Sequence, residues 1–553
     1  NRPPNKATIT AQEILNDLTE IREVLVEKHQ SLFKELIDDL INKVTLFGLY
    51  FASLDIRQDS RVHTSVMNAI SEDYPNLFSK KYDDLSDAEK ISELSNLQGK
   101  IDSKSIKDEV AQKTIESMYA MKAIQKYNGE QGCNRYIISN NGSVVNVLEA
   151  FAMIRLCDWK NPTVDVIPLF ETVDDLQVAD QVMETLYTNP SYAKHLKRRN
   201  NKQSIMLGFS DGTKDGGYLM ANWGIFTAKE RLTAISRKYG ITAIFFDGRG
   251  GPPARGGGKT HQFYASLGNT IEHEEVQLTI QGQTISSNFG TVDSCQYNIE
   301  QLLSSGISNE IFSDEKKILS AEDRKTMEQL ATLSYEAYKD FKNHPKFLPY
   351  LEQMSTLKYY AKTNIGSRPS KRGKGNELVF SDLRAIPFVG SWSQLKQNVP
   401  GFYGVGIALE TYLKNGEFGK VESLYANSAF FRTLLENSMM SLSKSFFPLT
   451  AYMKEDPEFG SFWELIHNEY ERSKKLVLKV TGYEELMEDS KAMRASIAVR
   501  EKIVLPLLTI QQYALREIQK LKKENSDPKL IETYEKMVTR SLFGNINAAR
   551  NSA

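Results

Sequence analysis

The segment FDGRGGPPARGGGK, Phe246 to Lys259, is the sharpest chemical signal in the chain. Glycine admits positive φ, and successive exposed N–H groups form a concave anion receptor, to which Arg249 and Arg255 would add charge. Two carboxylates, Glu171 in PLFETVDDL and Asp211 in LGFSDGTKDGG, each close an apolar run. Without a His or Cys cluster beside them, such a pair suits a hard, oxygen-preferring ion, Mg2+ or Mn2+. Taken singly, either carboxylate is more often a helix cap or a surface group; the pair at successive strand ends is what points to a metal. Lys214 and Asp215 share the turn with Asp211, where capping the next helix is an alternative to binding. Arg57 at a strand end, Arg368 in a basic loop and Arg384 in LRAIPF supply planar forks that match phosphate and carboxylate oxygens. Together these residues describe a site for a small, multiply anionic substrate beside a divalent ion.

Two other readings of the glycine segment are weaker. An RNA-binding arginine-glycine box needs a long disordered repeat, whereas this segment follows an apolar strand and runs into HQFYASLG. A Walker loop fails because Pro253 stands where its first glycine is required.

The elements that must position these groups follow from periodicity. Runs ending at Arg57, Asn140, Glu171, Asp211 and Asp247, and one around Gln281, read as strands separated by helix-length segments. That alternation gives an α-rich α/β fold, with a parallel β/α (TIM-type) barrel over residues 1–319 that bears most catalytic-site residues. An open doubly wound sheet is the alternative. Residues 320–553 read as mostly helical, with amphipathic runs such as Ala426 to Lys444, broken by a mobile basic loop over 366–377. The balance of 69 basic against 70 acidic residues argues against a general polyanion binder such as a nucleic-acid protein. Three scattered cysteines, Cys133, Cys157 and Cys295, build neither a disulfide framework nor a zinc site and fit a reducing cytoplasm. No apolar run is long enough for a membrane span, and the first residues lack a signal-peptide core.

Taken in order, FGLYFASLDIRQDS, PLFETVDDL, MLGFSDGTKDGG, FDGRGGPPARGGG, GSRPSKR with LRAIPF, and the terminal ARNSA resemble phosphoenolpyruvate carboxylase. The resemblance implies a carbon–carbon lyase that joins phosphoenolpyruvate and bicarbonate to give oxaloacetate and phosphate, commonly as a homotetramer. It implies that Glu171 and Asp211 bind Mg2+ or Mn2+, and that Arg57, Arg249 and Arg384 hold the phosphate. Lys214 and Arg255 join the catalytic set, while Arg368 and the loop Lys371 to Gly375 close over it. It also implies an inhibitory site for aspartate or malate formed by Arg255, Lys444, Arg500 and Asn551.

Two departures accompany the resemblance. The family's TAHPT motif, whose histidine handles protons, is absent, which together with Asn1 points to the C-terminal part of a longer enzyme. The family's FHGRGG reads FDGRGG, placing Asp247 where a histidine is expected. A carboxylate cannot donate as an imidazolium, so Asp247 is left to join a metal shell or orient an arginine. These departures keep a second class open: a non-catalytic, effector-binding protein on the same scaffold.

Overall fold

Six short segments become strands: β1 (Asp55–Asp59), β2 (Arg135–Ser139), β3 (Asp165–Phe170), β4 (Lys202–Leu207), β5 (Thr242–Asp247) and β6 (Val276–Leu278). The computed structural model describes residues 9–312, 318–362, 378–380, 383–525 and 527–549. Strands β2 to β5 are buried along nearly their whole length, and they therefore read as continuous apolar runs rather than alternating ones. Their order in the sheet is their order in the chain, β1 to β6. The registered pairs β1 with β2, β2 with β3, and β5 with β6 are all parallel. Helices fill the crossovers, among them Val144–Arg155, Val173–Thr188 and Phe209–Lys238. A doubly wound sheet reverses its strand order at a switch point, so sequential order favours barrel-type winding. The described strands number six and run open from β1 to β6; closure into a full eight-stranded barrel is not seen among them.

Two strand expectations are corrected. The run from Leu46 to Arg57 is not one strand: the helix Lys34–Phe47 takes its start, Gly48 ends that helix at φ +51, and only Asp55–Asp59 extends. The run toward Asp211 stops at Leu207, and Asp211 lies in the first turn of the helix Phe209–Lys238, where an acidic side chain faces the positive end of the helix dipole. That helix is kinked at Gly217, whose φ of +74 suits glycine and whose Cβ position lies 2.9 Å from the Tyr338 ring.

The chain divides into two compact units. One comprises the chain up to Phe170 with Asp180–Met206 and Ile235–Ala243; the other comprises Glu171–Ala179, Leu207–Ala234 and the chain from Ile244 onward. In the first, the helix Val144–Arg155 is buried almost all round, with Leu148, Phe151 and Ile154 in a core shared with Ile137 and Ile167. In the second, Phe341, Phe347, Tyr350, Trp392 and Phe462 form an aromatic core, with Phe341 and Phe462 stacked at 5.2 Å.

The expected run from Ala426 to Lys444 is broken at Ser428, whose hydroxyl accepts from the Phe431 amide at 3.1 Å and starts the helix Ala429–Ser443. This helix is buried on nearly every face, so it is a core helix rather than an amphipathic one. The last two helices, Lys491–Lys523 and Pro528–Ala549, pack through Leu515 and Ile518 against Val538 and Leu542. Arg368, the loop 366–377 with Lys371 to Gly375, and Asn551 lie outside the described residues. Among the described residues no helix is long and apolar enough to cross a membrane. The three cysteines are free thiols.

Candidate active site

The chemistry-bearing residues of the second unit follow β3, β4 and β5. After β3 the backbone turns sharply, because the Asp175 carboxylate accepts from the amides of Glu171 (3.3 Å) and Thr172 (3.0 Å) while the Thr172 hydroxyl accepts from the Asp175 amide (3.1 Å). This reciprocal cap fixes buried Glu171 at the head of the helix Val173–Thr188. The turn carrying Asp211 lies against it, since a Cβ on Gly212 would stand 3.5 Å from the Glu171 carbonyl oxygen. Asp215 is occupied otherwise: it accepts from the Val173 amide at 3.2 Å and pairs with Lys342 at 3.1 Å. The expectation that it caps the next helix is corrected: Asp215 lies within Phe209–Lys238, and its carboxylate meets the first amide of the preceding helix, Val173–Thr188. Lys214 is buried, with its ammonium 4.6 Å from the Phe380 ring centre.

The glycine loop does not present its backbone as a receptor. The amide of Gly250 donates to the Arg255 carbonyl (2.7 Å), that of Gly257 to Pro252 (3.0 Å) and that of Gly258 to Gly251 (3.3 Å). The loop is folded on itself, and its glycines serve close packing. A Cβ on Gly257 would meet the Gly251 oxygen at 1.9 Å, and one on Gly256 would meet the Phe209 ring at 2.5 Å. The exit of the loop is fastened to the helix Ala429–Ser443: the Lys259 amide donates to Asn437 Oδ1 at 3.1 Å, and the Lys259 ammonium bridges Glu436 and Asp489.

Anion-binding capacity therefore rests with side chains. Arg249 is 5% exposed, its guanidinium lies 4.3 Å from the Phe263 ring centre and 5.0 Å from that of Phe209, and its Nε and Nη1 have no hydrogen-bond partner. Buried donors without partners are costly in a folded protein, so such a group is suited to an incoming anion. Arg255 donates from Nε to Ser210 Oγ at 3.2 Å and from Nη2 to Gln281 Oε1. Burial lowers its pKa to about 10, against the neighbouring charge of Asp211, which raises it. Arg384 caps the helix Ala385–Gln394 by position. Arg57 lies on β1 in the first unit, with Nη2 at 3.6 Å from Met206 Sδ.

Asp247, at the end of β5, is fully buried, and its Oδ2 accepts from Lys229 Nζ at 2.6 Å and from the Tyr264 hydroxyl at 2.5 Å. Sequence reasoning missed Lys229 and Tyr264. A lysine in WGIFTAKERL reads as a solvated helix residue, and only the sheet end shows which face it occupies.

Of the four residues that the resemblance assigns to inhibition, two share a cavity. Lys444 and Arg500 line one cavity of about 50 Å3 with Lys396, Glu501 and Asn545. Pro252, Pro253 and Ala254 of the glycine loop line a neighbouring cavity that also contains Lys444, whereas the guanidinium of Arg255 is directed to Ser210 and Gln281.

Glu171 and Asp211, the two carboxylates that the resemblance assigns to a metal, stand on neighbouring turns of one unit. Among the described residues no group of three or more His, Cys, Asp or Glu side chains assembles. Two carboxylates with the remaining positions left to water and substrate oxygens is the usual way a protein holds Mg2+, so the residues fit such an ion.

Sequential parallel strands with helical crossovers, and carboxylates and buried arginines after their ends, define the chain as an α-rich α/β protein. The model of the phosphoenolpyruvate carboxylase family matches residues 1–550, and the chain belongs to that family. A curated relative, the phosphoenolpyruvate carboxylase of Nitrosomonas eutropha, is 32% identical over 527 residues, covering 91% of this chain. The alignment takes in 56% of that relative's length, so the chain spans little more than half of it.

Proposed function

We propose that the chain carries the substrate-binding and metal-binding centre for carboxylation of phosphoenolpyruvate by bicarbonate, giving oxaloacetate and phosphate. The observation that carries this reading is Arg249, buried with two donors unpartnered in the unit that also holds Glu171 and Asp211, in a chain of this family. Arg249, with Arg57 and Arg384, would hold the phosphate through its planar forks. Bicarbonate attacks phosphorus, leaving carboxyphosphate and the enolate of pyruvate, and carbon dioxide released from the former is captured by the enolate carbon. Glu171 and Asp211 would hold Mg2+ or Mn2+, which supplies Lewis-acid stabilisation of developing negative charge. Lys214, buried over Phe380, adds a fixed positive charge on the Asp211 turn. Arg368 and Lys371 to Gly375 would exclude water during the reaction. Cytoplasmic location and assembly as a homotetramer complete this reading.

A coupled assay for oxaloacetate tests it. The 553-residue chain by itself is expected to bind phosphoenolpyruvate with Mn2+ but to turn over about 10² to 10⁴-fold more slowly than a full-length relative, the span that a positioned proton-transfer group contributes. Binding of aspartate without any binding of phosphoenolpyruvate would instead favour the effector-binding alternative.

The same reading includes inhibition by aspartate or malate at Lys444, Arg500, Asn551 and Arg255. Two carboxylates suit cations that repel one another: burial lowers the Lys444 ammonium to about 8, with the charges of Lys396 and Arg500 acting in the same direction. Lysine is charged below its pKa, so aspartate affinity should be full at pH 7 and fall as pH rises through about 8. Calorimetric titration at pH 7 and 9 checks this, and Lys444→Arg should flatten the profile. Lys444→Ala or Arg500→Ala should weaken aspartate by about 2 to 5 kcal/mol. Equal affinity in both variants would remove the site.

A further inference from the structure

An arginine and a carboxylate buried within reach of each other can pair through two parallel N–H to oxygen bonds. Asp247 and Arg249 do not form such a pair. Asp247 Oδ2 is taken by Lys229 Nζ at 2.6 Å and by Tyr264, its Oδ1 has no partner, and Arg249 keeps Nε and Nη1 without one. Lys229 reaches Asp247 from the helix Phe209–Lys238 and is itself 1% exposed, set 5.0 Å from the Phe245 ring centre and 5.5 Å from that of Tyr264. A buried ion pair seldom stabilises more than apolar residues of the same volume, so packing alone is a poor reason for a lysine here.

We propose that Lys229 is a positioning residue for substrate binding: it occupies the Asp247 carboxylate and so keeps Arg249, two residues further on, available to an incoming anion. The proposal rests on the reading that Arg249 takes the substrate phosphate. The geometry divides the work among three groups. Lys229 neutralises Asp247; Tyr264 donates to the same oxygen and lays its ring 5.5 Å from the Arg249 guanidinium; Phe209 and Phe263 pack beside that guanidinium. Without Lys229, Arg249 is the cation left to balance Asp247: it stands two residues further on, with its guanidinium 5.5 Å from the ring centre of Tyr264, whose hydroxyl already meets Asp247. This arrangement also accounts for a carboxylate in the FDGRGG motif where the family has a histidine: the charge at position 247 is tolerated because a buried lysine answers it.

The test uses the whole chain, with phosphoenolpyruvate titrated calorimetrically in the presence of Mn2+ and folding followed by thermal melting. Lys229→Met should lose phosphoenolpyruvate affinity by at least about tenfold, because Asp247 then captures Arg249. The double variant Lys229→Met with Asp247→Asn removes both charges, and it should return affinity to within about threefold of the parent, the tolerance for one well-relaxed polar change. Parent-like affinity in a folded Lys229→Met variant overturns the proposal. So does a folded double variant that remains weak. Should the single variant fail to fold, the double variant decides alone on the same criterion. Arg249→Gln separates the two levels: if it binds phosphoenolpyruvate like the parent, the reading of Arg249 fails, whatever Lys229 does.

Discussion

Manganese binding should fall by more than about 100-fold in Glu171→Gln and again in Asp211→Asn, since changes even in groups that only orient a metal's ligands already cost about 10 to 100-fold. The two substitutions are nearly isosteric, so the fold should tolerate them. The Glu171 turn is held by Asp175 through backbone amides, at 3.3 and 3.0 Å, and those bonds do not involve the Glu171 side chain. Asp211 sits in the first turn of a helix whose start is tied by other bonds, among them the Thr213 hydroxyl to the Phe209 carbonyl at 2.9 Å. Electron spin resonance of Mn2+ reads binding directly and needs no turnover. Asp215→Asn is the control, because that carboxylate is already committed to Val173 and Lys342. Removing it should lower stability and leave Mn2+ affinity nearly unchanged. Parent-like Mn2+ binding in both Glu171→Gln and Asp211→Asn would exclude this pair as the metal site.

Gly257→Ala should disrupt the glycine loop more than any other single methyl addition in it. The added carbon would stand 1.9 Å from the Gly251 oxygen and 2.4 Å from that of Gly250, both backbone atoms with no rotamer to escape into. Overpacking of this kind ordinarily costs about 1 to 3 kcal/mol, and a backbone obstacle puts the change at the upper end. The loop must open to relieve it, giving up the Gly257 to Pro252 and Gly250 to Arg255 bonds. Hydrogen exchange over residues 248–259 should quicken in the variant while the aromatic core around Phe341 and Trp392 stays protected. Phosphoenolpyruvate binding should fall with it, since Arg249 leads into the loop. Unchanged exchange there would mean that the close packing of Gly257 is not what holds the loop.

Much of the strand pattern was legible because buried parallel strands leave continuous apolar runs, as VDVIPLF and ITAIFFD do before Glu171 and Asp247. The same rule misled at Leu46 to Arg57, where a helix end and a glycine turn place apolar residues in succession and the short run carries no period of its own. The arginines and carboxylates could be named as a set, since their types suit one kind of ligand. What could not be read was direction. Glycines that looked like an open receptor are closed by their own hydrogen bonds, and Lys229 could be placed only once the helix showed which side faces β5. Asn437 carried no sequence signal at all, being one of several polar residues in its helix, set between Glu436 and Ser438.

Asn437 and Lys444 are seven residues apart on one helical path, hence about two turns and ~10 Å along the same face. The glycine loop lies along that face: its exit, Gly258 and Lys259, touches Asn437, and its middle, Pro252 to Ala254, shares a cavity wall with Ser441 and Lys444. The loop is thus hydrogen-bonded to the helix at the Asn437 station and only packed beside it at the Lys444 station. On the inhibition proposed above, a ligand drawn to Lys444 would act at the looser of the two attachments, and its effect would reach Arg249, at the loop's entrance, through the backbone of the loop rather than by direct contact.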